Sequence, residues 1–446
     1  MNTPIYDFAK KYGESSPIRM HMPGHKGKSY LGCEALDLTE INGADSLYHA
    51  DGIIRESEEN ASSIFGSAIT LYSTEGSSLC IRAMLYLTVL YAESKGTKAT
   101  VLAGRNAHST FISASALLGI DLSFVSAEGS YLSGCLDGDD FVRALDGMDN
   151  KPTAIYVTSP DYLGGIADIE SIAKVCREND ILLLVDNAHG AYLKFLSPSM
   201  HPIDLGAHVC CDSAHKTLPV LTGGAYLHIS SDAPDMFFEQ AKNAMALFGS
   251  TSPSYLTLQS LDLANAYLAN GYRELLAEFI PRVDSLKSHL TSVGYSICNH
   301  EPLKLTISAK PYGYTGDALA EELRSRSVES EFSDRDFAVM MLSPSLDADE
   351  LQSLTDALTS IPRRSPINEP LPEMPRLSRA LSPKEALFSS SETLPASQSA
   401  GRILASANVI CPPAVPLAVC GEVIDDDAVK AFEYYGVTSV RVIKEK

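Results

Sequence analysis

The run Ile181-Leu182-Leu183-Leu184-Val185 ends in Asp186, and this junction constrains the chain more than any other stretch. Consecutive apolar residues without alternation suit a strand buried on both faces of a sheet, where helices cover both sides. A carboxylate at the end of such a strand is costly to bury unless a cation or hydrogen-bond donors meet it. The same order of short apolar strand, polar loop and helix recurs from about residue 61 to 230, with strands expected at 68–72, 100–103, 154–158 and 207–211. That alternation implies an α/β fold, a large domain with a mainly parallel sheet and helices on both faces.

The loops after these strands carry the chemistry. Tyr72-Ser73-Thr74-Glu75-Gly76-Ser77-Ser78 leads into a helical run at 79–92. Hydroxyls and backbone N–H groups at a helix N-terminus suit a phosphate, and Ser77 or Ser78 would serve equally as an ordinary N-cap. Arg105-Asn106-Ala107-His108-Ser109 puts a histidine at the C-terminal end of a strand, where ligands gather in open α/β sheets. Asp212-Ser213-Ala214-His215-Lys216-Thr217 follows the strand at 207–211, and Lys216 lies 30 residues (216 minus 186) beyond Asp186. A lysine that forms a Schiff base and an acid that holds a pyridinium nitrogen are what a pyridoxal phosphate (PLP) site requires. Most lysines are solvated surface charges, so Lys216 gains its meaning from the order of the parts around it.

Four segments are expected: an N-terminal arm at 1–60, a cofactor-binding large domain at 61–290, a small α/β domain at 291–362, and a linker with a C-terminal α+β domain at 363–446. In the arm, 4–11 reads as a short helix and His21-Met22-Pro23-Gly24-His25 as a turn. A long helix is expected over 256–290, kinked at Pro281. The small domain reads as strand 303–309, helix 317–324, strand 337–342 and helix 348–360. Four prolines mark 363–375 as a linker, 390–399 reads as a polar loop, and strands are expected at 419–424 and 439–443.

Composition narrows the partners. A net charge of −21 argues against nucleic acid, whose phosphates need basic patches, and fits cationic small molecules as well as plain solubility. No apolar run reaches bilayer length, since 77–92 is interrupted by Arg82, and the first residues form no secretory signal, so no membrane partner is expected. Nine cysteines without a CxxC pair read as reduced thiols of a cytoplasmic protein, and no metal site is expected.

In this order the motifs resemble the Orn/Lys/Arg decarboxylase family. They are His-Met-Pro-Gly-His-Lys-Gly at 21–27, Arg-Asn-Ala-His-Ser at 105–109, Asp-Asn-Ala-His-Gly at 186–190 and Ser-Ala-His-Lys-Thr-Leu at 213–218. Thr-Ser-Pro-Ser-Tyr at 251–255, Gly-Arg-Ile at 401–403 and Pro-Pro-x-x-Pro at 412–416 continue the series. The resemblance implies a fold-type-I PLP-dependent transferase-like large domain and a short, biosynthetic type without an N-terminal wing domain. It further implies that Lys216 forms the Schiff base, Asp186 pairs with the pyridine nitrogen, His108 stacks on the ring and Ala188 packs on its other face. Ser77, Ser78, Ser213 and His215 would hold the phosphate, and His215 with Lys216 would donate a proton to Cα. Thr251 and Ser252 would reach the phosphate of a neighbouring subunit in a homodimer. Glu422 would receive the cationic end of the substrate, a basic amino acid, arginine before lysine or ornithine, in polyamine biosynthesis. Where the family has an acid after Asp186 this chain has Asn187, Glu75 stands where Asn is common, and Cys411 and Cys420 replace residues of its proline-rich motifs. An aminotransferase or lyase on the same fold, or a non-catalytic regulator, would share the cofactor-binding parts.

Overall fold

The computed structural model describes residues 1–125, 135–298, 301–411 and 415–445. Pro412, Pro413 and Ala414 of the proline-rich motif lie outside the described residues. The chain forms two compact units, the first made of Met1–Thr97 and Ile169–Leu276, the second of Lys98–Asp168 and Ala277–Lys446. The fold is α/β, with strands and helices alternating through the first half of the chain.

Seven strands carry that alternation: β1 (Ile69–Ser73), β2 (Thr100–Gly104), β3 (Asp121–Val125), β4 (Ala154–Thr158), β5 (Leu182–Asp186), β6 (Val209–Asp212) and β7 (Ala225–Ile229). In the first unit the order is β1-β7-β6-β5, with β5 and β6 parallel and β7 antiparallel to both its neighbours. In the second unit β2 pairs in parallel with β3 and with β4. Every residue of β5 is buried, as a strand covered on both faces requires.

Helices α1 (Pro4–Glu14), α2 (Ile53–Phe65) and α3 (Gly76–Ser94) belong to the first unit. The arm is anchored rather than loose: the α1 N-terminus is capped by Asp262, whose Oδ2 accepts the Ile5 and Tyr6 N–H groups at 2.9 and 3.0 Å. Helix α3 is apolar nearly all round and packs between β6, β7 and the helix Asp235–Ala246. Phe65 closes the α2 side, its ring 4.5 Å from His228 and 5.2 Å from Tyr226, and truncating so buried a ring typically costs about 3–5 kcal/mol.

In the second unit β8 (Ser296–Ile297), β9 (Lys304–Ser308), β10 (Phe332–Ser333) and β11 (Phe337–Met341) form an antiparallel sheet ordered β10-β11-β9-β8. The C-terminal part pairs β12 (Ser391–Pro395) with β15 (Ser439–Ile443), and β13 (Asn408–Cys411) with β14 (Val415–Val419). Its core holds Leu404, Leu417, Ile424, Phe432, Val440 and Val442. Among the described residues no helix is long and apolar enough to cross a membrane.

Three local expectations change. The helix expected at 256–290 is two, Tyr255–Ala269 and Tyr272–Ser292, broken at Gly271 with φ +89°, while Pro281 lies inside the second. The polar segment 390–399 contains strand β12, whose edge position tolerates polar side chains. The strand expected at 419–424 ends at Val419, and the chain then turns through Gly421 with φ +89°, where a Cβ would meet the Leu381 carbonyl oxygen at 2.1 Å.

Candidate active site

The site begins where β5 and β6 end side by side, with Asp186 in register with Cys211. Asp186 is 2% exposed. Its Oδ1 accepts the Ala188 N–H at 3.3 Å and faces the Cys211 sulfur at 3.7 Å. Burial, then the charge of Asp186, pushes the Cys211 thiol well above its usual range, so sulfur keeps its proton and acts as the donor. Ala188 is buried beside them.

Strand β6 runs on into a single turn, Ala214–Thr217, with Ser213 before it and His215 and Lys216 on it. The Lys216 N–H donates to Ser213 O at 3.0 Å, and Gly224 O lies 3.0 Å from His215 Nδ1. Lys216 Nζ reaches Nε2 of His189 at 3.0 Å. Ser213 Oγ donates to Ser77 Oγ at 2.8 Å, which joins the lysine turn to the start of α3. No side chain caps α3: Glu75 stands at the N-cap position, and Ser77 and Ser78 occupy the first turn, half-buried. Gly76 N–H donates to Gly223 O at 2.7 Å, and a Cβ at Gly223 would come 2.7 Å from Thr74 O, so the two loops need glycine to approach.

Beneath this surface lies a buried acid that the sequence did not single out. Asp212 accepts from Asn187 Nδ2 at 2.6 Å, His201 Nε2 at 3.1 Å and His228 Nε2 at 3.2 Å. Burial pushes its carboxyl up, but His201 and His228 outweigh burial and the net shift is downward. His228 is lowered by burial against the pull of Asp212, so it is neutral and donates through Nε2 while Nδ1 meets Thr70 Oγ1 at 2.8 Å. His201 Nε2, the Cys210 sulfur and the Asp212 carboxylate lie within 4.8 Å of one another. The His201 Nδ1 accepts the Ile203 N–H at 3.4 Å, which leaves the proton on Nε2, directed at Asp212 rather than toward a metal.

Thr251 and Ser252 are exposed in the first unit. Ser250, just before them, donates its N–H to Glu75 Oε1 at 2.5 Å, so the hydroxyl-rich segment is tied to the start of α3. His108 and Glu422 belong to the second unit. His108 is exposed and N-caps the helix α4 (Ser109–Leu118), its Nδ1 accepting the Thr110 N–H at 3.2 Å. Glu422 is buried, with Oε1 2.7 Å from Arg105 Nη1 and Oε2 accepting from Arg105 Nη2 and Val419 N–H, both at 2.8 Å. Arg105 also donates to Pro416 O and Leu417 O at 3.1 and 3.4 Å and lies over the Phe124 ring.

The structure thus gathers Asp186, Ala188, Ser77, Ser213 and Lys216 in one unit. It adds His189, Asp212 and Cys211 there, and Arg105 beside Glu422 in the second unit, to all of which the sequence reading assigned no role. His189 carried a signal, since it stands three residues beyond Asp186; the others depend on partners far away in sequence.

Residues 3–312 match the family model described as Orn/Lys/Arg decarboxylase, major domain. The chain belongs to the Orn/Lys/Arg decarboxylase family. It is 28% identical over 458 residues to an arginine decarboxylase of Halalkalibacterium halodurans, covering 95% of this chain and 91% of the relative. It is also 28% identical over 459 residues to the arginine decarboxylase of Bacillus subtilis, covering 95% and 92%. The lysine decarboxylase of Francisella novicida superposes with a TM-score of 0.80 at 17% identity, over 99% of this chain and 81% of that one, and shares the fold.

This family member is a PLP-dependent amino-acid decarboxylase. PLP, when bound, supplies an aldehyde for amines and a protonated ring that accepts the electron pair left when CO₂ departs. The residues present fit that group: an amine at Lys216, a buried carboxylate at Asp186, and paired hydroxyls beside an uncapped helix start.

Proposed function

We propose that this enzyme decarboxylates arginine to agmatine, a step in polyamine biosynthesis, in the cytoplasm. The reading is carried by one observation: Asp186 ends β5 beside the end of β6, which runs on into the turn carrying Lys216, and Ser213 at the start of that turn is hydrogen-bonded to Ser77 of α3. The name arginine decarboxylase on relatives that cover 95% of this chain supports arginine over lysine and ornithine. Eight described cysteines are free, which suits a reducing compartment.

In this reading Asp186 keeps the ring nitrogen protonated through its charge, with Cys211 and the Ala188 N–H fixing its orientation. Ser77, Ser78, Ser213 and His215 would hold the phosphate, Ala188 would pack on the ring, and the family resemblance gives His108 a stacking role. Lys216, with His215, returns a proton to Cα once CO₂ has left. Glu422 belongs to substrate recognition in the family resemblance, and its engagement with Arg105 makes it a positioning residue as well.

We read the active unit as a homodimer in which Thr251 and Ser252 reach the neighbour's phosphate site. Their exposure supports this, as do the exposed apolar side chains of the arm, Ile18 at 84%, Met20 at 86% and Leu31 at 89%. Incubating the purified protein separately with arginine, lysine and ornithine, and assaying CO₂ and the matching amine, tests the substrate. Turnover of lysine or ornithine above arginine would refute that assignment.

A further inference from the structure

Lys216 and His189 face each other through two nitrogens 3.0 Å apart. Such a contact needs one proton between them, from an ammonium to a neutral imidazole or from an imidazole N–H to a neutral amine. Two protonated nitrogens would have no lone pair to share. His189 is built into place: it is 4% exposed and sits in a tight turn closed by the Gly190 N–H donating to Asn187 O at 2.8 Å. A Cβ at Gly190 would come 2.0 Å from Asn187 Oδ1, so the turn packs tightly against the Asn187 side chain.

The geometry points to His189 as the proton partner of Lys216, the base that takes a proton from the ammonium and leaves a neutral amine to receive the cofactor. The inference rests on the PLP reading above. The step balances. The ammonium gives one proton to His189 Nε2, producing an amine and an imidazolium. The amine then condenses with the aldehyde: a C=N bond forms, and the carbonyl oxygen leaves as water with the two amine hydrogens. No oxidant or reductant takes part.

The other ionisable groups on elements packed round the turn have partners of their own. Asp212 is held by Asn187, His201 and His228, and Lys194 is paired with Asp204 at 2.6 Å. His215 Nδ1 faces Gly224 O, and the phenols of Tyr192 and Tyr226 are uncharged near neutrality. Cys211 keeps its proton, and Asp186 at the end of β5 accepts from the Ala188 N–H. A neutral imidazole touching Nζ gives the ammonium proton a place to go.

The test strips the cofactor with hydroxylamine and follows reloading with PLP by visible absorbance, between about pH 6 and 10. Wild type is compared with His189→Gln, which keeps a hydrogen-bond acceptor but no base, and with His189→Ala. Loading at neutral pH should fall about tenfold or more in both variants and recover toward the ordinary lysine range, an upward shift of about one pH unit or more. Pyridoxine 5′-phosphate has an alcohol in place of the aldehyde and cannot condense; its affinity should stay within about twofold, as expected when the binding contacts are untouched. An unchanged pH profile overturns the inference. So does a loss of pyridoxine phosphate affinity that matches the loss of loading, since His189 would then hold the ring and not the proton. Failure of the PLP reading looks different: wild type itself would show no visible band and no borohydride-trapped adduct at Lys216.

Discussion

Replacing Glu422 by glutamine separates a structural role from a substrate role in one protein. The Glu422 and Arg105 side chains are 6% and 11% exposed, and the carboxylate takes three hydrogen bonds, two from the guanidinium and one from Val419 N–H. Glutamine has one acceptor oxygen, so its NH₂ must face an N–H donor of Arg105 or Val419. Removing one partner of a buried ion pair costs about 3–5 kcal/mol, because the remaining charge is left uncompensated. Arg105 retains Pro416 O and Leu417 O, which places the expected loss near the lower end, about 3 kcal/mol. Urea titration with far-UV circular dichroism and tyrosine fluorescence reads this; the chain has no tryptophan and 20 tyrosines. The double-mutant cycle with Arg105→Gln should return a coupling of about 1.5 kcal/mol or more. A loss under about 1 kcal/mol, together with a KM for arginine raised about tenfold, would show that the carboxylate serves the substrate and that the ion pair stabilises little.

Lys216→Ala should lose turnover and the visible cofactor band together; borohydride-trapped cofactor in that variant would assign the bond to another lysine. Asp186→Asn should fold and bind PLP yet lose activity worth about 3–4 kcal/mol in the transition state, since a neutral side chain cannot hold the ring nitrogen protonated; near-normal turnover would make the carboxylate structural. Stability should fall on acidification. His228 is lowered by burial, so the unfolded chain takes up a proton near its ordinary pKa of about 6.5 that the fold refuses, and stability present above that pH is lost below it. The slope is about 1.4 kcal/mol per pH unit for one proton, and Asp212, also lowered, adds a second loss below about pH 4. Urea midpoints from pH 8 down to 5 read this, and a flat profile, or a slope that survives in His228→Gln, would refute it.

What the sequence revealed was what periodicity and turn chemistry encode. Strand 154–158 and helix 348–360 appear with the expected bounds, and β5 ends on Asp186 as its apolar run implied. The misreadings came where tertiary pairing overrides local pattern. Ser391–Pro395 is polar and reads as a loop, yet β15 gives it a ladder to join. Tyr255–Ala269 and Tyr272–Ser292 have continuous helical character, and one glycine in the left-handed region separates them. In the site, Asp186 stood out because a charge at the end of an apolar strand is rare, and Lys216 through the order of the parts around it. Arg105 did not, because its partner Glu422 is 317 residues away.

Asn187 shows how one departure from the family pattern fits the rest of the chain. Its Nδ2 donates to Asp212 Oδ1 at 2.6 Å, so an acid at 187 would set two carboxylates against each other in a dry interior. With asparagine at 187, the buried negative charge stands at the end of β6 and is matched by donors from Asn187, His201 and His228. The same asparagine accepts the Gly190 N–H through its backbone carbonyl, and this closes the turn that carries His189 to Lys216. Its own N–H donates to Cys211 O at 2.9 Å, which locks β5 to β6 one residue beyond Asp186. One residue therefore couples the ends of both strands, through its side chain to Asp212 and through its backbone to Gly190 and Cys211. It follows that Asn187→Asp should disturb the lysine contact and the Asp212 network together, through repulsion at a single point.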